Sequence, residues 1–221
     1  MTKNVLEVDG VLFSHGLKRI LSSIYMKCEQ GQVVGLLGRN GSGKSSLMKV
    51  IFSALEAESK SIRVNGIPQT ERNFFSTLKI NYLPQEHFIP EYITIKQAFK
   101  LYKVDWLNLR NEFPEIEKSL NLKPRAISGG ELRLIEIILI LFSKSEFSLL
   151  DEPFSGLSPI MIERVVDLLG KVKACKGVII TDHLYRHVAS ASDVIYILIN
   201  GQTRKISEMP ELLKYGYISE L

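Results

Sequence analysis

The chain has 221 residues, 45% apolar and 24% charged, with a net charge of +4. This is enough apolar material for one full core with an inserted subdomain, and it excludes a disordered chain, a small disulfide scaffold or a collagen-like repeat. The small positive excess suits an anionic small ligand or a membrane-side position and is too weak to argue for nucleic acid, so no nucleic-acid partner is expected. Two distant cysteines, Cys28 and Cys175, form neither a disulfide framework nor a clustered metal site and point to a reducing compartment. The most apolar run, Ile135 to Phe142, contains Glu136 and is far shorter than the ~20 residues a membrane helix needs. Glu7 and Asp9 interrupt any apolar leader, so a cytoplasmic protein is expected.

In chain order, residues 4 to 37 alternate like strands, with Ile24, Met26 and Cys28 on one face. Val33 to Leu37 is continuously apolar, as in a strand buried on both faces, and runs into Gly38. Lys44 to Phe52 has helical spacing. Ile62 to Val64 and Ile80 to Leu83 read as strands, the first closed by Asn65-Gly66 and the second ending at Pro84-Gln85. Residues 86 to 128 are rich in aromatics and read as a helical insertion, in which Thr94 caps a helix running to Val104 and Asp105 caps a second. The α/β rhythm then resumes. Helices are expected at 129–144, 158–174, 184–190 and 208–214, and strands at 146–150, 177–181 and 193–199. Asn200-Gly201 marks a hairpin. The expected fold is α/β: a mixed, mostly parallel sheet flanked by helices, with an N-terminal antiparallel β region and an inserted helical subdomain. As a single domain it divides into residues 1–85, 86–128 and 129–221.

Gly38-Arg39-Asn40-Gly41-Ser42-Gly43-Lys44-Ser45, followed by Ser46, matches G-x-x-x-x-G-K-[ST]. The glycines let backbone N–H groups turn inward as a nest for phosphate oxygens, and the next helix aims its positive end at the same place. Lys44 supplies a point charge for the β and γ phosphates, and the Ser45 hydroxyl is a Mg²⁺ ligand. Phe147 to Asp151 is an apolar strand ending in Asp151-Glu152. Ligands of α/β sheets sit at the carboxyl ends of strands. There Asp151 is suited to hold Mg²⁺, and Glu152 to accept a proton from an attacking water.

With these two motifs, Ser128-Gly129-Gly130-Glu131 makes the chain resemble the ATP-binding subunits of ABC transporters, and the likeness covers residues 4 to 215. Gln85 resembles the family's Q-loop, Ser128-Gly129-Gly130 its signature, Ser155-Gly156-Leu157 its D-loop and His183 its switch histidine. The resemblance implies an ATPase that powers transport through separate membrane permease subunits. It also implies a head-to-tail pair, expected as a homodimer formed on ATP binding, in which each ATP lies between one copy's phosphate loop and the other's signature. The location implied is peripheral, on the inner face of the cell membrane. Gln85 would touch Mg²⁺ and water, and His183 would contact the γ-phosphate and orient water near Glu152. Adenine would stack on His15, with Phe13 as the other candidate. The chain departs from the family at His15, usually an aromatic such as Tyr, at Glu131, usually Gln, and at Ser158, usually Asp. In motif detail it is most similar to the ATPases of lipopolysaccharide export and branched-chain amino-acid uptake. A soluble ABC-type ATPase in iron–sulfur cluster assembly is the alternative. A small-molecule kinase using the phosphate loop alone has no use for the second anion site at residues 128–130.

Three further features have plain readings. His183 and His187 have i, i+4 spacing but no third ligand, so a metal site is not expected. Trp106 suits either partner contact or the insertion's own small core. Lys171, Lys173 and Lys176 read as a solvated helix end, where cations complement the dipole.

Overall fold

The computed structural model describes residues 3–70 and 78–217. Five strands form an antiparallel sheet: β1 (Val5–His15), β2 (Lys18–Leu21), β3 (Tyr25–Glu29), β5 (Ser59–Val64) and β6 (Ile67–Pro68). β1 is the hub, pairing with β2, β3 and β5. The second sheet has six strands in the order β11-β10-β4-β9-β8-β7. These are β4 (Val33–Leu37), β7 (Ile80–Leu83), β8 (Phe147–Asp151), β9 (Gly177–Thr181), β10 (Val194–Ile199) and β11 (Gln202–Ile206). Only the β10–β11 hairpin is antiparallel.

The period of two along the central strands separates two cores. Val33 and Leu37 of β4, Val178 and Ile180 of β9 and Leu150 of β8 pack with the helices α3 (Gly129–Phe142), α4 (Pro159–Val172) and α5 (Tyr185–Ala191). The alternate residues Val34, Leu36, Ile179 and Leu149 face the antiparallel sheet and α1 (Lys44–Ile51). Both faces of β4, β8 and β9 are therefore buried, which is why these strands are apolar at most positions rather than alternating.

The stretch after β7 departs from its sequence reading. Thr94 does cap a helix, through a capping box with Gln97, but that helix, α2 (Ile95–Leu101), stops three residues short of Val104. Lys103 takes a left-handed conformation (φ 55°) that no helix continues. Asp105 caps only a three-residue 3₁₀ turn, Trp106–Asn108. Pro114 lies downstream, and the residue before a proline is driven out of the helical region; Phe113 sits at φ −129°, ψ 55°. Leu109, Phe113 and Ile116 join the core of α3 and α4. Trp106, half-buried, packs edge-on against Phe99 with ring centroids 5.4 Å apart, at the border of this same core.

Lys176 is a second correction. It is 5% exposed and not a solvated helix end. Its ammonium donates to Ser143 O, Ser145 Oγ and Ser148 Oγ at 2.9, 2.9 and 3.4 Å. Cys28 is buried, and burial pushes its thiol up to about 12, in keeping with an inert side chain. Among the described residues no helix is long and apolar enough to cross a membrane. A short helix, α6 (Glu211–Lys214), follows β11.

Candidate functional site

Four adjacent parallel strands, β4, β9, β8 and β7, end on the same edge of the sheet. Their next residues are Gly38, Asp182-His183, Glu152 and Pro84-Gln85, so the topology gathers motifs that lie far apart in sequence. A cavity of about 810 Å³ opens there, lined by Asn40, Gly41, Gly43, Lys44, Ser45, Ser46, Gln85, Glu152, His183, Phe13 and His15 among others.

The phosphate loop is built for an anion. α3 and α4 each begin on a serine cap, Ser128 and Ser158, whose hydroxyl accepts a backbone N–H. α1 begins on Gly43, which offers no side chain, so its first N–H groups remain free for a ligand. Gly43 has φ 104°, and a β-carbon there would lie 2.7 Å from Ile20 Cγ2, so this position requires glycine twice over. The Ser42 hydroxyl oxygen is buried without a hydrogen-bond partner. Lys44 is 8% exposed and donates to Gly38 O at 2.8 Å and Arg39 O at 3.2 Å. Burial lowers its pKa, and Glu152, Asp151 and Asp182 oppose that shift. Arg39 and Ser42 line a neighbouring cavity of about 470 Å³ with Tyr215 and Tyr217. The Arg39 guanidinium donates to Gly216 O at 2.6 Å, away from the loop's interior.

Asp151 is fully buried. Ser45 Oγ donates to its Oδ1 at 3.0 Å, and the Tyr82 hydroxyl donates to its Oδ2 at 2.9 Å. Burial raises the Asp151 pKa, and those two hydrogen bonds oppose the rise. Burial and the neighbouring Asp151 carboxylate push the Tyr82 hydroxyl upward in turn. Glu152 occupies the left-handed region at φ 51°, a conformation costing on the order of 1–3 kcal/mol for a residue with a β-carbon. Gln85 Nε2 donates to Glu152 Oε2 at 2.9 Å, and His183 Nδ1 lies 3.9 Å from the same oxygen. Asp182, also buried, accepts the N–H groups of Phe154 and Leu184 at 2.9 and 3.0 Å, fixing the turn that carries His183.

The remaining expected site residues lie apart. Ser128, Gly129, Gly130 and Glu131 are absent from the cavity lining. Ser128 and Gly129 are exposed. The Ser128 hydroxyl accepts Glu131 N–H at 3.2 Å, and the Glu131 carboxylate accepts Ser119 Oγ at 2.5 Å. A β-carbon on Gly130 would sit 2.9 Å from Gly156 O, so the start of α3 packs directly on the turn at Gly156 of its own chain. His183 and His187 are not on one helix, since α5 begins at Tyr185. No group of three or more metal-ligating residues occurs among the described residues.

Sequence reading overlooked three residues here: Tyr82, Arg133 and Glu136. Tyr82 reads as an ordinary strand residue, and its contact with Asp151 depends on the β7–β8 pairing. Arg133 and Glu136 lie in what reads as an apolar core helix, and both are buried. Two charges three residues apart in such a run were the available signal.

Fold and site together define a phosphate-loop nucleotide-binding protein. A family model described as ABC transporter matches residues 21–155. A probable ABC transporter ATP-binding protein of Azorhizobium caulinodans is 30% identical over 89% of this chain and 74% of its own. The lipopolysaccharide export system ATP-binding protein LptB of Haemophilus influenzae is 26% identical over 90% of this chain and 88% of its own. A solved ATP-binding subunit of an ABC transporter shares the fold, with TM-score 0.83 at 23% identity over 96% of this chain and 93% of that one. The chain belongs to the ABC transporter family and is an ATP-binding, ATP-hydrolysing member of it.

Proposed function

We propose that this chain is the motor subunit of a transporter whose membrane-spanning part resides in separate permease subunits. One observation carries the reading. The cavity holds the phosphate loop, Gln85, Glu152 and His183, whereas the start of α3 that bears Ser128, Gly129 and Gly130 lies outside it and faces solvent. The Ser128 hydroxyl caps only the Glu131 N–H, so the Gly129 and Gly130 N–H groups at this helix start are left for an anion. In this reading the helix start completes the ATP site of a second copy, so two identical copies pair head to tail with two-fold symmetry.

Within each site, the loop N–H groups, Lys44 and the orphaned Ser42 hydroxyl bind the phosphates. Ser45, Asp151 and Gln85 supply oxygen ligands, the donor set Mg²⁺ prefers, and Ser45 Oγ and Asp151 Oδ1 already face each other at 3.0 Å. When bound there, Mg²⁺ neutralises charge on the β and γ phosphates. Glu152 accepts the proton of the attacking water, held ready by Gln85. His183 orients that water and the γ-phosphate, and His15 and Phe13 flank the adenine. The protein would then sit on the inner face of the membrane, docked through the aromatic-rich 86–128 stretch.

The test is recovery of tagged Glu152→Gln protein from its native cells in mild detergent with ATP, followed by mass spectrometry. A stoichiometric multi-span membrane protein is expected. Recovery of soluble partners alone would replace the reading with that of an assembly ATPase.

A further inference from the structure

Leu132 to Leu141 of α3 are all buried, and two of these residues carry charge: Arg133, 2% exposed, and Glu136, 0% exposed. A buried charge is tolerated only when it is paired and hydrogen-bonded. These two are not chiefly paired with each other, since Arg133 Nη1 and Glu136 Oε2 lie 3.7 Å apart. The guanidinium instead donates to three backbone carbonyls. Nη1 reaches Pro84 O at 2.7 Å, and Nη2 reaches Asp151 O at 2.7 Å and Glu152 O at 2.9 Å. The Glu136 carboxylate accepts Phe88 N–H at 2.8 Å and Ile89 N–H at 3.4 Å, and its other oxygen lies 2.9 Å from His87 Nδ1.

The pair therefore ties together three segments: the backbone immediately before Gln85, the backbone of Asp151 and Glu152, and residues 87–89, where the chain enters the helical insertion. Stability alone does not account for it. A buried ion pair is often no better than a well-packed apolar pair, and Arg133 Nε remains buried without a partner. A planar fork that grips carbonyls from two strand ends is what fixes their separation. Glu152 is the residue held at φ 51°, and its carbonyl is one of the three.

We infer that Arg133 and Glu136 are positioning residues for hydrolysis. Arg133 sets Gln85 and Glu152 at the spacing that holds the attacking water, and Glu136 makes that spacing depend on where the insertion places residues 87–89. The inference rests on the reading of Glu152 as the proton acceptor. It assigns work to a part of α3 beyond the signature, on the side facing the chain's own ATP.

The test uses the purified full-length chain with Arg133→Lys, Glu136→Gln and Glu152→Gln, singly and with Arg133→Lys and Glu152→Gln combined. Lys keeps the charge but has one nitrogen in place of the planar fork, so it cannot span the Pro84 carbonyl and the Asp151–Glu152 carbonyls as Nη1 and Nη2 do, and Gln keeps an acceptor for the 88–89 N–H groups. ATP Kd, kcat and melting temperature are measured for each. The expected result is an ATP Kd within about twofold of the unaltered chain with kcat down at least about tenfold in both single variants. Glu152→Gln should then lower the residual rate of Arg133→Lys by much less than it lowers that of the unaltered chain, because both act through one carboxylate. If Arg133→Lys does not fold, Arg133→Met with Glu136→Met removes both charges and should fold with the same loss of kcat. A kcat within about twofold of normal in a folded variant, or a loss that only tracks weakened ATP binding, would overturn the inference. Full turnover by Glu152→Gln alone would overturn the underlying reading and this inference with it, whatever Arg133→Lys does.

Discussion

Lys176 offers a quantitative check on how this fold treats a buried cation. The side chain is 5% exposed, and burial pushes its ammonium from 10.5 down to about 8. Below pH 8 the group is charged in both folded and unfolded chains, and the native state carries the full cost of burying it. Between pH 8 and 10.5 the unfolded chain holds more protons than the folded one, so stability rises with pH across that window. The whole shift corresponds to about 3 kcal/mol, of which about 2 kcal/mol is regained by pH 9.5. Lys176→Met removes the titration while keeping the stem's volume. Urea unfolding of both proteins at pH 7, 8, 9 and 9.5 isolates the effect, because all other groups titrate alike in the two. The difference in unfolding free energy should move in favour of the unaltered chain by about 2 kcal/mol from pH 7 to 9.5. A difference that stays flat across this range would rule out a lowered Lys176 pKa. It would mean that the acceptors Ser143 O, Ser145 Oγ and Ser148 Oγ fully offset burial.

Two further outcomes follow from the site. Ser128→Ala removes the hydroxyl that caps α3 and should lower unfolding free energy by about 1 kcal/mol, read by urea titration; it should also weaken ATP-dependent pairing, and unchanged values for both would contradict the cap. His15→Ala should weaken ATP binding by about 1 kcal/mol, roughly fivefold in Kd, the low end of base stacking on a side chain; an unchanged Kd, with a loss instead in Phe13→Ala, would move the adenine wall to Phe13.

The legible parts of this molecule were those in which one residue type has one physical use. Gly43 before Lys44 needs a left-handed turn, and an apolar strand ending in Asp151-Glu152 marks a sheet edge. The phosphate loop, Gln85, Asp151-Glu152 and His183 lie together because each directly follows a strand, and parallel strands bring their carboxyl ends together; Ser128-Gly129-Gly130 follows no strand and lies apart. What stayed hidden depends on pairings distant in sequence. Lys176 looks like any lysine after a helix, and only its approach to Ser143, Ser145 and Ser148 shows that it is buried. Tyr82 meets Asp151 through the register of β7 on β8. Arg133 and Glu136 were masked by the apolar residues around them. Asp105 gave a sound cap signal for a helix that Pro114 and the burial of Leu109 and Phe113 leave no room to form.

In this reading ATP binds between two copies, and Glu152 drives its hydrolysis. Light scattering on size-exclusion chromatography of Glu152→Gln, with and without ATP and Mg²⁺, tests it most directly. A single-copy mass is expected without nucleotide, a doubled mass with ATP, and no phosphate release. A protein that binds ATP yet keeps the single-copy mass, or that turns ATP over at the unaltered rate, would contradict it.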